Sequence, residues 1–221
     1  MLNLIDVGGA GGLQGKWEAR LGSIAPTIFE PNTTEADKIR DKYRAHKDIR
    51  VVERGLFNVS GQRTLHLTQH WGCVSLRQPN FDILSKYPIA KQFKVVGEKT
   101  IDCYRYDELF AKGEVPKPDV IKIDVQGCEY EVLEGFGDLL DGCIGIELET
   151  HFYPIYREQK LLHDLVALLG RFGLTLMRLS PINHFEGDMV EADAFFLLAK
   201  EKAKTPEEKA NRAVVAEVYG L

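Results

Sequence analysis

The chain has 221 residues, 44% of them hydrophobic and 28% charged, which corresponds to one large domain at roughly 100–200 residues per domain. Its 28 Lys and Arg against 33 Asp and Glu leave a net charge of -5, excluding the broadly basic surface of a general nucleic-acid binder. No apolar run approaches the roughly 18 residues of a membrane-spanning helix.

Residues 1–7 lack the basic and apolar segments of a signal peptide. Cys73, Cys103, Cys128 and Cys143 form no C-x-x-C pair. A cytoplasmic protein with reduced thiols is therefore expected.

Residues 2–7 read as a strand ending in a cluster of Gly8, Gly9, Gly11 and Gly12. Leu13, Trp17 and Leu21 then recur at helical spacing. A second strand is expected at 27–29. Asn32, Thr33 and Thr34 read as a cap for a helix carrying Ala36, Ile39 and Tyr43, and 49–52 as a third strand. Extended segments and loops follow, with Thr64–Thr68 alternating as a strand and Gly61 and Gly72 as punctuation. Residues 120–125 predict a strongly buried strand, followed by a short helix with Tyr130, Val132, Leu133 and Phe136.

The next strand, from 143, runs into Glu147, Glu149 and His151. A broad apolar helical face spans Leu161 to Phe172, with Gly173 as its stop. Strands at 174–179 and 194–199 are joined by a long polar loop. Thr205, Pro206 and Glu208 form a capping box with proline at the first helical position. Ala210, Val214, Val218 and Leu221 then give a thin apolar stripe. The alternation of β and α elements implies a layered α/β domain with a mostly parallel sheet.

The glycine loop ends a strand and opens a helix, where ligands of such sheets bind. The dinucleotide fingerprint G-x-G-x-x-G fails here, because Leu13 or Gln14 stands at the third glycine. The form Asp-x-Gly-x-x-x-Gly, on Asp6, Gly8 and Gly12, better suits an S-adenosylmethionine loop. Glu30, at the end of the second strand, can accept hydrogen bonds from both ribose hydroxyls.

The segment Val120-Ile121-Lys122-Ile123-Asp124-Val125-Gln126-Gly127-Cys128-Glu129, continuing to Val132-Leu133-Glu134-Gly135, closely resembles the signature of FkbM-type methyltransferases. Ile5-Asp6-Val7-Gly8, Phe29-Glu30-Pro31-Asn32, Ser75-Leu76 and Ala192-Asp193-Ala194-Phe195-Phe196 extend the resemblance over about 4–199. It implies a class I methyltransferase (Rossmann-like) fold, a three-layer sandwich whose mostly parallel seven-stranded sheet has an antiparallel last strand. The domain would cover 1–200, with an inserted extended region at about 56–106 and a C-terminal helix at 201–221.

The resemblance also implies S-adenosylmethionine as methyl donor and a hydroxyl of a small molecule, sugar or secondary metabolite as acceptor. Gln126 departs from the family's Glu, and Ala10 from its Asn. The N-terminal helices that cover the substrate in many members are expected to be absent here, lost, or supplied by a partner.

Asp6, Gly8, Gly9, Gly12, Glu30 and Asp124 are the candidate cofactor residues, with Gly55 and Leu56 expected to flank the adenine. A base that takes a hydroxyl proton contributes about 10²–10⁴-fold. Asp124, Glu149 and His151 are the candidates, Glu147 and Glu149 sharing one face of their strand. Glu129 either serves the site or complements its helix dipole.

Asp124, Glu149 and His151 are also types that bind a divalent cation. No metal is assigned, because spacing alone does not bring the three together. His66, His70 and Trp71 in the insert, and His184, Glu186 and Asp188 in the late loop, are candidates for the substrate mouth. The expected partner is a small-molecule or glycan acceptor, with no nucleic acid or membrane; a homodimer stays open. The rival readings are a non-catalytic cofactor-binding protein of the same fold and a dinucleotide-dependent oxidoreductase.

Overall fold

The computed structural model describes residues 1–221. Its first half contains β1 (Leu2–Val7), α1 (Gly15–Glu18), β2 (Ile24–Phe29), α2 (Thr33–Lys42), β3 (Arg50–Val52), β4 (Gly55–Leu56), β5 (Gly61–Thr68), α3 (Phe81–Leu84) and β6 (Val95–Tyr104). Then come α4 (Tyr106–Ala111), β7 (Val120–Ile123), α5 (Glu129–Phe136), β8 (Gly145–His151), α6 (Leu162–Gly170), β9 (Leu174–Ile182), β10 (Glu191–Leu198) and α7 (Pro206–Val218).

Seven strands form one sheet in the order β3-β2-β1-β7-β8-β10-β9. Pairing is parallel from β3 to β8, and β10 runs antiparallel to β8 and β9. The central strands are apolar on both faces because helices cover both, as parallel sheets require. On one face Ile5, Ile121, Ile123, Ile146 and Leu148 pack against α4, α5 and α6. On the other, Leu4, Ile28, Val120 and Phe195 meet Trp17 of α1, Ile39 of α2 and Val215 of α7. The result is the expected three-layer α/β sandwich.

Residues between β3 and α4 build a separate three-stranded sheet, β4-β6-β5. A third apolar cluster joins Cys73, Leu84 and Phe93 of that region to Ile155, Tyr156, Phe185 and Val190. The insert is thereby fastened to the segments that follow β8 and β9. All four cysteines are buried and unpaired. No helix is long and apolar enough to cross a membrane.

Local chemistry explains the element boundaries. Asn32 caps α2, its Oδ1 accepting from the N–H of Thr34 at 3.0 Å. The capping box of α7 closes as expected: Thr205 accepts from the Glu208 N–H at 3.1 Å, and Glu208 accepts from the Thr205 N–H at 2.8 Å.

Three expectations need correction. The Leu13–Leu21 helix is a single turn, α1. β7 stops at Ile123, leaving Asp124 and Val125 outside the strand. The stripe on α7 is out of phase: Val214 and Leu221 are exposed, while Val215, Ala216 and Tyr219 are buried. Gly145 leaves room for that phase, since a Cβ there would lie 2.8 Å from Val215 Cγ1.

Candidate active site

Sheet register assembles the site. Asp6 stands beside Lys122, Lys122 beside Glu147, and Glu147 beside Phe195. With a side-chain period of two, the next positions toward the carboxyl ends carry Glu149 beside Asp193, then His151 beside Glu191. Asp124 follows β7 at the same level. A row of charges thus lies on the face covered by α1, α2 and α7.

The inner row is compensated. Lys122 Nζ lies 3.4 Å from Asp6 Oδ1 and 3.7 Å from Asp124 Oδ2. Burial works against the lysine charge, but Asp6 and Asp124 outweigh it and hold the ammonium above its usual pKa. Glu147 pairs with Lys16 and accepts from the Tyr219 hydroxyl at 2.7 Å.

The glycine loop seals this end of the sheet. The N–H groups of Gly8 and Gly9 both donate to the Phe29 carbonyl at 3.1 Å. Gly8 has φ +79°, and a Cβ on it would sit 1.9 Å from the Asp124 carbonyl oxygen. A Cβ on Gly9 would meet Ile28 Cγ2 at 2.1 Å, and one on Gly12 the Tyr43 hydroxyl at 2.7 Å. These glycines therefore let the loop lie against its own protein neighbours. Gly11, at φ +82°, instead faces open space.

Glu30 is buried at the end of β2, and its Oε1 accepts from the Asn32 N–H at 2.8 Å. Burial raises its pKa. Gly55 and Leu56 lie inside the fold. Cys103 Sγ fills the space of a Gly55 Cβ, and Leu56 belongs to the main core.

Gln126, the departure from the family signature, occupies the centre of the cluster at φ +56°. Its amide NH₂ donates to Asp124 Oδ1 at 3.1 Å and to the Glu149 carboxylate. Its Oε1 accepts from the Tyr156 hydroxyl at 2.9 Å, and the Ser75 hydroxyl donates to its carbonyl at 2.6 Å. Glu129 is buried beneath this turn and accepts from the N–H of Val125 at 3.2 Å and of Gly127 at 3.0 Å. It holds the loop together, so a purely dipolar role is set aside. Burial raises its pKa to about 7 against those hydrogen bonds.

Glu149 sits well above the carboxylate range, through burial first and then Asp124, Glu191, Glu129 and Asp193. His151 is 1% exposed and pushed down by burial to about 4. Its Nδ1 meets the Gln159 amide nitrogen at 2.8 Å, and its Nε2 lies 3.8 Å from Glu191 Oε2. Ligand atoms of Glu149, His151 and Glu191 lie within 4.8 Å of one another. Asp124 stands apart from that trio, so the metal-competent set differs from the one the sequence suggested.

Other candidates fall around the rim. His184 is exposed and meets Glu191 at 2.6 Å, and Asp188 accepts from the Tyr87 hydroxyl at 2.9 Å. Glu186 occupies a turn at φ +54°. Trp71 is exposed and stacked on His70, whereas His66 is buried and lies 3.2 Å from Glu98. A cavity of about 380 Å³ opens beside the cluster, bordered by Lys16, Glu147, Arg178, Ser180, Asp193 and Tyr219.

Sequence reading missed Lys122, Gln159, Glu191 and Tyr219 as site residues. A lysine inside an apolar strand is a usable signal, because a buried charge needs a partner. So is the period-two pair Glu191 and Asp193.

The family model for the methyltransferase FkbM domain matches residues 14–175. The hexuronic acid methyltransferase AglP of Haloferax volcanii is 46% identical over 124 residues, covering 56% of this chain. The chain spans 46% of that relative's length. A crystal structure of methyltransferase FkbM from Methylobacillus flagellatus aligns with a TM-score of 0.55 at 15% identity, over 88% of this chain and 43% of that one. The latter likeness concerns the fold alone.

Proposed function

Because the chain belongs to the FkbM methyltransferase domain family, we propose that it methylates a hydroxyl of a sugar acceptor with S-adenosylmethionine as donor. The carrying observation is the convergence of Asp124, Glu149 and Asp193 beyond the glycine loop and Glu30. The 46% identity to a hexuronic acid methyltransferase favours a uronate-bearing acceptor. Arg178, exposed on the border of the adjacent cavity, offers a cationic group for its carboxylate.

The donor fits the residues present. Glu30 keeps one carboxylate oxygen unused by Asn32, suited to ribose hydroxyls. Gly11 leaves room beside the loop, and Asp6 braces the site from below through Lys122. When bound, S-adenosylmethionine supplies an electrophilic methyl on a sulfonium. The chain's task is to hold the acceptor oxygen in line with it, within about 3–3.5 Å, and to receive the hydroxyl proton.

Glu149 is the proposed proton acceptor. Its raised pKa makes it a stronger base than an ordinary carboxylate, as proton transfer near neutrality requires. Asp124 positions the acceptor and, through Gln126, the Glu149 carboxylate. His151 is a poor base by comparison: its ring is buried and its Nδ1 is engaged by Gln159.

The test is methyl transfer from labelled S-adenosylmethionine to uronate-bearing and neutral glycans, read by mass spectrometry. A methylated hydroxyl on the uronate acceptor is expected. Cofactor binding without transfer to any hydroxyl acceptor would contradict the proposal.

A further inference from the structure

The structure assigns His151 a fixed polarity: we propose that Gln159 holds it as the Nε2–H tautomer, a donor facing the carboxylates of Glu149 and Glu191. It is thereby a positioning residue for the proton acceptor, neither the base nor a metal ligand. This rests on the reading of Glu149 given above.

The argument begins at a backbone amide. The N–H of Tyr156 donates to Gln159 Oε1 at 3.2 Å. A backbone N–H is only ever a donor, so it fixes which end of the Gln159 amide is oxygen. The NH₂ end then faces His151 Nδ1 at 2.8 Å. An amide NH₂ only donates, so Nδ1 must present its lone pair. In a neutral imidazole the proton then resides on Nε2.

The far side of the ring is consistent with this. Nε2 is buried and makes no hydrogen bond within the protein, an uncommon state for a buried polar atom. Glu191 Oε2 lies 3.8 Å away, beyond hydrogen-bond range but close enough to shorten when the acceptor settles, as apo catalytic contacts often do. Glu149 and Glu191 are the only other members of the tight cluster around it.

The same polarity separates two uses of that cluster. As a metal ligand, His151 would offer an Nε2 lone pair and would donate Nδ1–H to an acceptor. Here the group facing Nδ1 is itself a donor. Gln159 therefore disfavours a cation among Glu149, His151 and Glu191, although their spacing alone would admit one.

The experiment is histidine-labelled NMR of the full chain, with His151 assigned by comparison with His151→Gln. Ring carbon and nitrogen shifts distinguish the tautomers without cofactor or acceptor, so this result is independent of whether methyl transfer is confirmed. The Nε2–H form is expected at neutral pH; the Nδ1–H form, or an imidazolium, would overturn the proposal. In Gln159→Glu, one carboxylate oxygen can still accept from Tyr156 while the other accepts from Nδ1–H. That variant should switch the tautomer, gain zinc affinity and lose about tenfold in kcat with S-adenosylhomocysteine binding unchanged. The tenfold is the loss of one hydrogen bond of about 1.4 kcal/mol. Zinc binding by the wild-type chain through His151 would refute it.

Discussion

The proposed cofactor residues Asp6, Gly8 and Glu30 stand out in the linear sequence because a cofactor loop of this kind calls for those residue types at set positions along consecutive elements. The reason for the glycines cannot, because it depends on what lies opposite. Gly9 abuts Ile28, and Gly8 abuts the backbone after β7. Gly9→Ala should destabilise the fold by about 1–3 kcal/mol through overpacking, measured by denaturant unfolding; an unchanged midpoint would show that Ile28 yields freely.

His151 gives a second prediction at this scale. Burial holds its folded pKa at about 4, below the usual imidazole value of 6.5, so its stabilising contribution is present above the latter and is lost as pH falls toward 4. Between pH 7 and pH 4, the stability of the wild type relative to His151→Gln should fall by about 3 kcal/mol. Glu129, with its raised pKa, works in the opposite direction over an overlapping range. Glu129 and the charged groups facing the ring, Asp124, Glu149 and Glu191, are common to both chains, so the difference reports His151 together with its coupling to those carboxylates.

At the scale of elements, the strands and capped helices follow from local chemistry. Asn32, Thr205 and Glu208 act on their own neighbours, and β7 is a short run, β-branched at Val120, Ile121 and Ile123, that both sheet faces bury. The phase of α7 is different. Its apolar side chains admit two neighbouring stripes, and the one that is buried uses room left by Gly145, far away in the chain, whose missing side chain receives Val215. Tyr219 is likewise drawn in by Glu147, a preference no helical periodicity reveals. Thr205→Ala should reduce stability by about 1 kcal/mol through loss of the cap, seen as a lower thermal midpoint. Val214→Asp should be nearly neutral, whereas Val215→Asp should prevent folding; the reverse order would restore the stripe expected from sequence.

Across the whole molecule, the sheet distributes charge by depth. Asp6, Lys122, Glu147 and Lys16 compensate one another inside, while the carboxylates of Asp124, Glu149, Asp193 and Glu191 gather toward the mouth without an equal count of cations. The composition shows only a net charge of -5; strand register decides where the excess is concentrated. For the proposed anionic sugar the cationic help falls to Arg178, exposed on the border of the adjacent cavity, since Lys16 is already held by Glu147. Arg178→Ala should raise KM for a uronate acceptor about tenfold or more and leave a neutral acceptor little changed. Equal effects on both would assign Arg178 a structural role through its contact with the Gly220 carbonyl.

The central claim, a methyl-donor pocket formed by the glycine loop and Glu30, is tested most directly by calorimetric titration with S-adenosylhomocysteine, alongside NAD and the Glu30→Ala variant. Micromolar binding is expected, weakening about 10–100-fold in the variant through the loss of hydrogen bonds to a charged group, with no binding of NAD. Equal affinity in both proteins, or a preference for NAD, would contradict it.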